Sequence, residues 1–183
     1  MSRLIRTKVL GMARQQYDAV DGIVAQWNAV RPDIDSSPIA IVGRVSRLSR
    51  LIDRRLAVSF ARFDLEDWMY DVMATLRRSG EPYQLNAGDL MRQSMVTTGA
   101  ITNRIDRLEQ RGLVERAASS DRRKVIVRLT KLGLDTVDSV VGAHLDTERE
   151  ILGSLSPRQQ GDLANLLRTL LVDLGDHSPV AAT

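Results

Sequence analysis

Two short helical patterns separated by a tight turn constrain this fold most. The first covers residues 87–93, and the second runs from Gly99 to Gln110, behind the candidate N-cap residues Thr97 and Thr98. Gly112 ends the second pattern, as glycine commonly does after a helix. This arrangement predicts a helix-turn-helix, whose second helix, near residues 97–111, would enter the major groove of duplex DNA.

An extended segment follows the second pattern. It begins at Leu113, passes through a polar turn over residues 119–123, and returns as alternating apolar positions from Val125 to Leu129. The segment predicts a β-hairpin, or wing, near residues 114–130. Amphipathic helical patterns on both sides predict that the rest of the chain is helical. We therefore expect a mainly α fold with a small β-hairpin wing, that is, a winged helix-turn-helix.

Positive charge is concentrated in this part of the chain. Residues 98–131 hold nine Lys and Arg against four acids, an excess of +5 in a chain whose net charge is only +3. Such a block is typical of a surface that binds a polyanion, although a solvated face would have the same composition.

The predicted DNA contacts follow from the two elements. Ile101, Ile105 and Leu108 fall on the stripe of the second helix that faces the core. The polar residues elsewhere on that helix and at the wing tip are the candidates for phosphate or base contacts: Thr97, Thr98, Thr102, Asn103, Arg107, Asp121, Arg122, Arg123 and Lys124. Taken alone, the wing could equally be a plain surface hairpin.

The composition argues against other classes of protein. The chain has no cysteine, and of its two histidines His144 falls on a helical stripe and His177 in the C-terminal tail, so the sequence shows neither a metal cluster nor a Ser-His-Asp arrangement. It also lacks a glycine-rich phosphate loop. We therefore expect no enzyme activity, no metal and no cofactor. Since no stretch approaches the roughly 18 apolar residues of a membrane span, we expect a cytoplasmic protein without membrane contact.

Residues 108–133 resemble the wing of the MarR family of transcription regulators, with matches at Asp121, Arg123, Leu129 and Thr130. The resemblance implies a homodimer held by helices from both ends of each chain, with Asp121 orienting Arg123 in the minor groove. It implies three regions: 1–60 for dimerisation and one wall of an effector pocket, 61–131 for DNA binding, and 132–183 for dimerisation.

Arg104 falls on the inward stripe of the second helix, where it needs a partner, and Asp71 on the preceding helix could meet it. This pair would be either a structural salt bridge or part of an effector site. The surroundings of Trp27, Gly43 and Arg104 resemble the urate-responsive and PecS-type branch of the family. By that resemblance Trp27, Asp71, Arg104 and Arg116 match its effector-site positions. Trp27 could instead anchor a dimer core, and Arg116 could bind a phosphate.

Together these features predict a ligand-responsive repressor. It would bind a pseudo-palindromic operator as a homodimer and leave it when urate, xanthine, another purine or a phenolic compound binds. The alternative is a winged-helix module for protein contacts or dimerisation, without sequence-specific DNA binding.

Overall fold

The computed structural model describes residues 17–95, 101–118 and 124–177, and within them the chain forms seven helices and three short strands. In chain order these elements are α1 (Ala19–Val30), α2 (Ile39–Ala61), α3 (Asp67–Arg78), β1 (Gln84–Asn86), α4 (Ala87–Gln93), α5 (Ile101–Gln110), β2 (Val114–Ala117), β3 (Ile126–Leu129), α6 (Lys131–Leu152) and α7 (Pro157–Asp173). The mainly α winged helix-turn-helix predicted from the sequence is confirmed.

Packing divides the chain into two compact units, with the division between Leu51 and Ile52, inside α2. In the first unit, Asp18 caps α1 through a reciprocal pair of hydrogen bonds with Asp21. Val20 is buried, and its side chain lies close to the backbone of Gly43 in α2. A Cβ added to Gly43 would be 3.2 Å from the Val20 side chain. Asp18 itself is extended, as an N-cap residue normally is, and α1 continues to Val30.

The second unit holds the main hydrophobic core. α3 supplies its centre, with Val72, Met73 and Leu76 completely buried, and α4, α5 and α6 pack around it. Each of these helices contributes the apolar stripe that its sequence predicts. Burial of this contiguous apolar surface is the main favourable contribution to the stability of the unit.

A three-stranded antiparallel sheet closes one side of this core, in the order β1-β3-β2. The hairpin of β2 and β3 was predicted, whereas β1 was not, because three residues are too few to give a strand pattern and the pairing of Gln84 with Arg128 is non-local. Gly112 adopts the left-handed conformation, with φ of 68°, which lets α5 end and β2 begin within a few residues. Within the described residues, no helix is both long and apolar enough to cross a bilayer.

Candidate nucleic-acid interface

The helix-turn-helix consists of α4 and α5. Asn86 caps α4 by accepting a hydrogen bond from the backbone N–H of Asp89 at 2.9 Å, and Leu90 fixes the helix in the core. On α5, Ile105 and Leu108 are 2% and 0% exposed, as predicted, whereas Thr102 and Asn103 are exposed near the start of the helix. α5 thus turns its apolar stripe to the core and presents polar side chains at its N-terminal end.

Arg107 lies one turn after Asn103 on α5, and the structure gives it an intramolecular partner. Its guanidinium forms an ion pair with Glu66, the residue before α3, and lies over the Trp68 ring with its carbon 4.8 Å from the ring centre. The Trp68 indole N–H donates to the second oxygen of the same carboxylate at 2.8 Å. In this structure Arg107 is therefore bound to α3, although its side chain remains 46% exposed.

The wing is formed by β2 and β3. Glu115 and Arg128 face each other across the two strands and form an ion pair, with the Arg128 Nε 2.8 Å from a Glu115 oxygen. Lys124, at the start of the return segment, is exposed. Five of the predicted DNA contacts lie outside the described residues, and they remain predictions: Thr97, Thr98, Asp121, Arg122 and Arg123.

Arg116 on β2 connects the wing to the recognition helix. Its guanidinium forms ion pairs with both Asp106 and Glu109 of α5. The hydrogen bond from Arg116 to Asp106 raises the pKa of Arg116 above its ordinary value. Because Arg116 bridges two carboxylates one turn apart, any displacement of its side chain would act directly on α5.

Asp71 and Arg104 belong to the second unit, and no ion pair joins them in the part of the chain that is described. The Asp71 carboxylate accepts a hydrogen bond from the backbone N–H of Met95 at 2.9 Å, just beyond α4. The Arg104 guanidinium lies over the Trp68 ring, with its carbon 5.7 Å from the ring centre. Of the two alternatives for this pair, the direct salt bridge is not formed here, and the role of both residues in an effector site stays a prediction.

Trp27, the fourth candidate effector residue, lies on α1 in the first unit and is 43% exposed. The other three lie in the second unit, with Asp71 on α3, Arg104 on α5 and Arg116 on the wing strand β2. Their common membership of one ligand site therefore stays a prediction.

Sequence reasoning did not identify Glu66 and Trp68 as parts of this surface. Trp68 lies on the apolar stripe of α3 and is buried in the core. Its second role depends on Arg104 and Arg107, which lie more than 30 positions away in the chain. A Glu two positions before a tryptophan at a helix start was the one local signal available.

Comparisons with known proteins agree with this architecture. The model of the MarR family matches residues 69–125. The chain is 40% identical over 157 residues to the HTH-type transcriptional regulator PecS from Dickeya dadantii, and the match covers 85% of this chain and 93% of PecS.

Two solved structures share its fold. The first is a mutant of MarR from E. coli complexed with operator DNA, with a TM-score of 0.65 and 24% identity, covering 79% of this chain and 97% of that one. The second is BpsR from Bordetella bronchiseptica, whose DNA binding is regulated by 6-hydroxynicotinic acid; its TM-score is 0.64 and its identity 22%, covering 71% of this chain and 91% of BpsR.

Proposed function

The chain belongs to the MarR family of DNA-binding transcription regulators, and from that premise we propose that it is a repressor released from DNA by a small aromatic anion. It would bind a pseudo-palindromic operator as a homodimer, because two recognition helices related by a two-fold axis read two half-sites about one helical turn apart. Binding of the anion would lower the affinity for the operator.

One observation carries the DNA-binding part of this proposal: α5 buries Ile105 and Leu108 and exposes Thr102 and Asn103 at its N-terminal end. The major groove admits one helix, whose N-terminal residues reach the base edges. The amide of Asn103 can donate to and accept from adenine in a bidentate contact. The threonine hydroxyl suits a phosphate or a base.

The proposed effector site comprises Trp27, Asp71, Arg104 and Arg116. A flat anion would stack on Trp27 and pair with an arginine, while its charge would repel the Asp71 carboxylate. BpsR, whose regulating ligand is a flat heterocyclic compound, supports this choice of ligand class. We expect urate, xanthine or a simple phenolic acid to act on this chain.

Two contacts provide a route from that site to the DNA. Asp71 holds the backbone N–H of Met95, which begins the connection between α4 and α5. Arg116 holds Asp106 and Glu109 on α5 itself. Displacement of either side chain by a ligand would move the recognition helix, and a coupling of about 1–3 kcal/mol would lower operator affinity by roughly 5–150-fold.

The test is a titration of a labelled duplex from the protein's own upstream promoter, with a scrambled duplex as competitor. Asn103→Ala should weaken specific binding by about tenfold, because one bidentate base contact contributes roughly 1–3 kcal/mol. Gln110→Ala is the matched control, since Gln110 is exposed at the other end of α5.

The same titration is repeated with urate, xanthine and phenolic acids. Loss of the specific complex with one of them supports the whole proposal. A specific complex that persists in the presence of every one of these compounds would contradict the effector part of the proposal. Equal affinity for the promoter and scrambled duplexes would instead favour a winged-helix module for protein contacts.

A further inference from the structure

Glu66 makes contacts that are unusual for a residue at the start of a helix. It occupies the N-cap position of α3, but its side chain makes no capping hydrogen bond. One carboxylate oxygen accepts from the Trp68 indole and the other pairs with Arg107 of the recognition helix. The carboxylate is therefore directed at side chains on the face where α3 and α5 meet.

Arg107 nevertheless remains open to an external anion. Arg107 and Glu66 have side chains that are 46% and 51% exposed. Among the described residues, the hydrogen bonds of Arg107 use one terminal nitrogen only, so Nε and the other terminal nitrogen have no acceptor in that part of the chain. Arg107 also follows Asn103 by four positions, which places both on the same side of α5. A duplex seated on that side would bring phosphates near the guanidinium.

The charge on Glu66 is retained at neutral pH. The indole hydrogen bond from Trp68 lowers the pKa of its carboxyl, slight burial opposes this, and the bond from Arg107 lowers it further. A carboxylate and a phosphate present the same kind of oxygen pair to a guanidinium. The two anions therefore compete for one cation.

We propose that Glu66 is an intramolecular competitor for Arg107, which passes from the Glu66 carboxylate to a backbone phosphate when the operator is bound. The inference rests on the proposed function, because it needs DNA on α5. A loosely placed, non-specific duplex leaves Arg107 on Glu66, whereas an operator read by Asn103 brings a phosphate close enough to replace it. Glu66 thus lowers the affinity for the operator by the free energy of the ion pair that Arg107 must leave.

The experiment is a double-mutant cycle of Glu66→Gln and Arg107→Gln, with affinities measured on operator and scrambled duplexes over a range of salt. Glu66→Gln keeps an oxygen for the indole but removes the charge. It should tighten binding to the operator by about two- to fivefold, the size of an exposed ion pair that no longer has to be broken, and binding to the scrambled duplex by less. In the R107Q background this gain should vanish.

Arg107→Gln should weaken operator binding and reduce the slope of log affinity against log salt by about 1. Asp67→Asn is the matched control, because Asp67 is the exposed next residue and forms no ion pair with any described residue. It removes the same charge without freeing a cation. Its effect on affinity should therefore be much smaller.

Trp68 provides an independent signal. Since the chain has only two tryptophans, Trp27→Phe leaves Trp68 as the sole reporter. Its emission should change on operator addition, when Arg107 leaves the ring and the carboxylate, and R107Q in this background should abolish that change.

Three results would overturn the inference: equal tightening by Glu66→Gln with and without Arg107, tightening by Asp67→Asn as large as that by Glu66→Gln, or an unchanged salt slope in Arg107→Gln. In each of these cases the unaltered protein would still bind the operator specifically, so the proposed function would stand while the role of Glu66 would not. If the unaltered protein fails to distinguish operator from scrambled DNA, the proposed function itself fails.

Discussion

Gly133 lies in the first turn of α6, directly against the end of the recognition helix and the start of the wing. A Cβ at this position would be 1.9 Å from the carbonyl oxygen of Leu113 and 3.2 Å from the Leu129 side chain. Thr130 caps the same turn by accepting from the Gly133 backbone N–H at 3.0 Å, and it donates to the Gly112 carbonyl at 2.6 Å. These contacts hold the backbone of α6 directly against the backbone of the connection between α5 and β2.

We therefore expect Gly133→Ala to destabilise the protein by at least about 2–3 kcal/mol, because the obstacle is backbone and cannot rotate away. Gly142→Ala in the same helix is the control: a Cβ there meets nothing within 4 Å. It should stabilise by about 0.5–1 kcal/mol, since alanine is the better helix former. Urea unfolding followed by far-UV circular dichroism measures the stability of both variants. Equal unfolding midpoints for the two variants would contradict the prediction and show that β2 can move aside.

At the scale of elements, local signals in the sequence were sufficient for most of the fold. The helix α4 occupies the residues 87–93 that were predicted for it, and Ile105 and Leu108 of α5 face the core as predicted, because apolar periodicity is a property of neighbouring residues. The strand β1 and the pairing of Arg107 with Glu66 were missed, because both depend on residues about 40 positions apart. For Asp71, the periodicity of the sequence predicted its position on the helix, but not the group that its carboxylate contacts.

The attachment of α1 to α2 depends on Arg44. Its guanidinium binds Asp18 at 2.8 Å and Asp21 at 2.7 Å, so one cation joins both residues of the α1 capping box. Arg44→Gln should increase hydrogen exchange severalfold in α1 and leave α6 unchanged, as measured by mass spectrometry. Arg47→Gln is the control, because Arg47 is exposed on the same helix and has no ion pair in the described part of the chain. Equal exchange in both variants would mean that Val20 alone holds α1.

Acid should reproduce the effect of Arg44→Gln. Partial burial raises the pKa of Asp18, but the hydrogen bonds from Arg44 and from the backbone N–H of Asp21 and Val20 outweigh it, so the pKa lies below the ordinary value of about 3.9. A lowered pKa in the folded state contributes stability above the unfolded value, and this contribution disappears as the pH falls through the folded pKa. Exchange in α1 should therefore rise below about pH 4, and less so in Asp18→Asn, which has no charge to lose.

At the scale of the whole molecule, helices in both units expose large apolar side chains. α7 has no buried residue, and its leucines at positions 166, 170 and 171 are 66%, 46% and 50% exposed. In the first unit, Val42 and Leu51 on α2 are 67% and 55% exposed. Exposed apolar side chains that neighbour one another along a helix, as on α7, mark an interaction site. The homodimer that we propose would cover it with helices from both ends of a second copy.

This proposal predicts the behaviour of a charge placed on α7. Leu166→Glu combined with Leu170→Glu should halve the mass measured by light scattering, because two carboxylates would be buried without partners in the dimer. Asn165→Glu, on the polar side of the same helix where Asn165 contacts Arg168, should leave the mass unchanged. Since a monomer reads one half-site, the double variant should also lose most of its operator affinity but keep its slight affinity for scrambled DNA. If the double variant keeps both its mass and its operator affinity, the dimer contact lies elsewhere. If it becomes a monomer with undiminished operator affinity, one helix-turn-helix is sufficient for recognition.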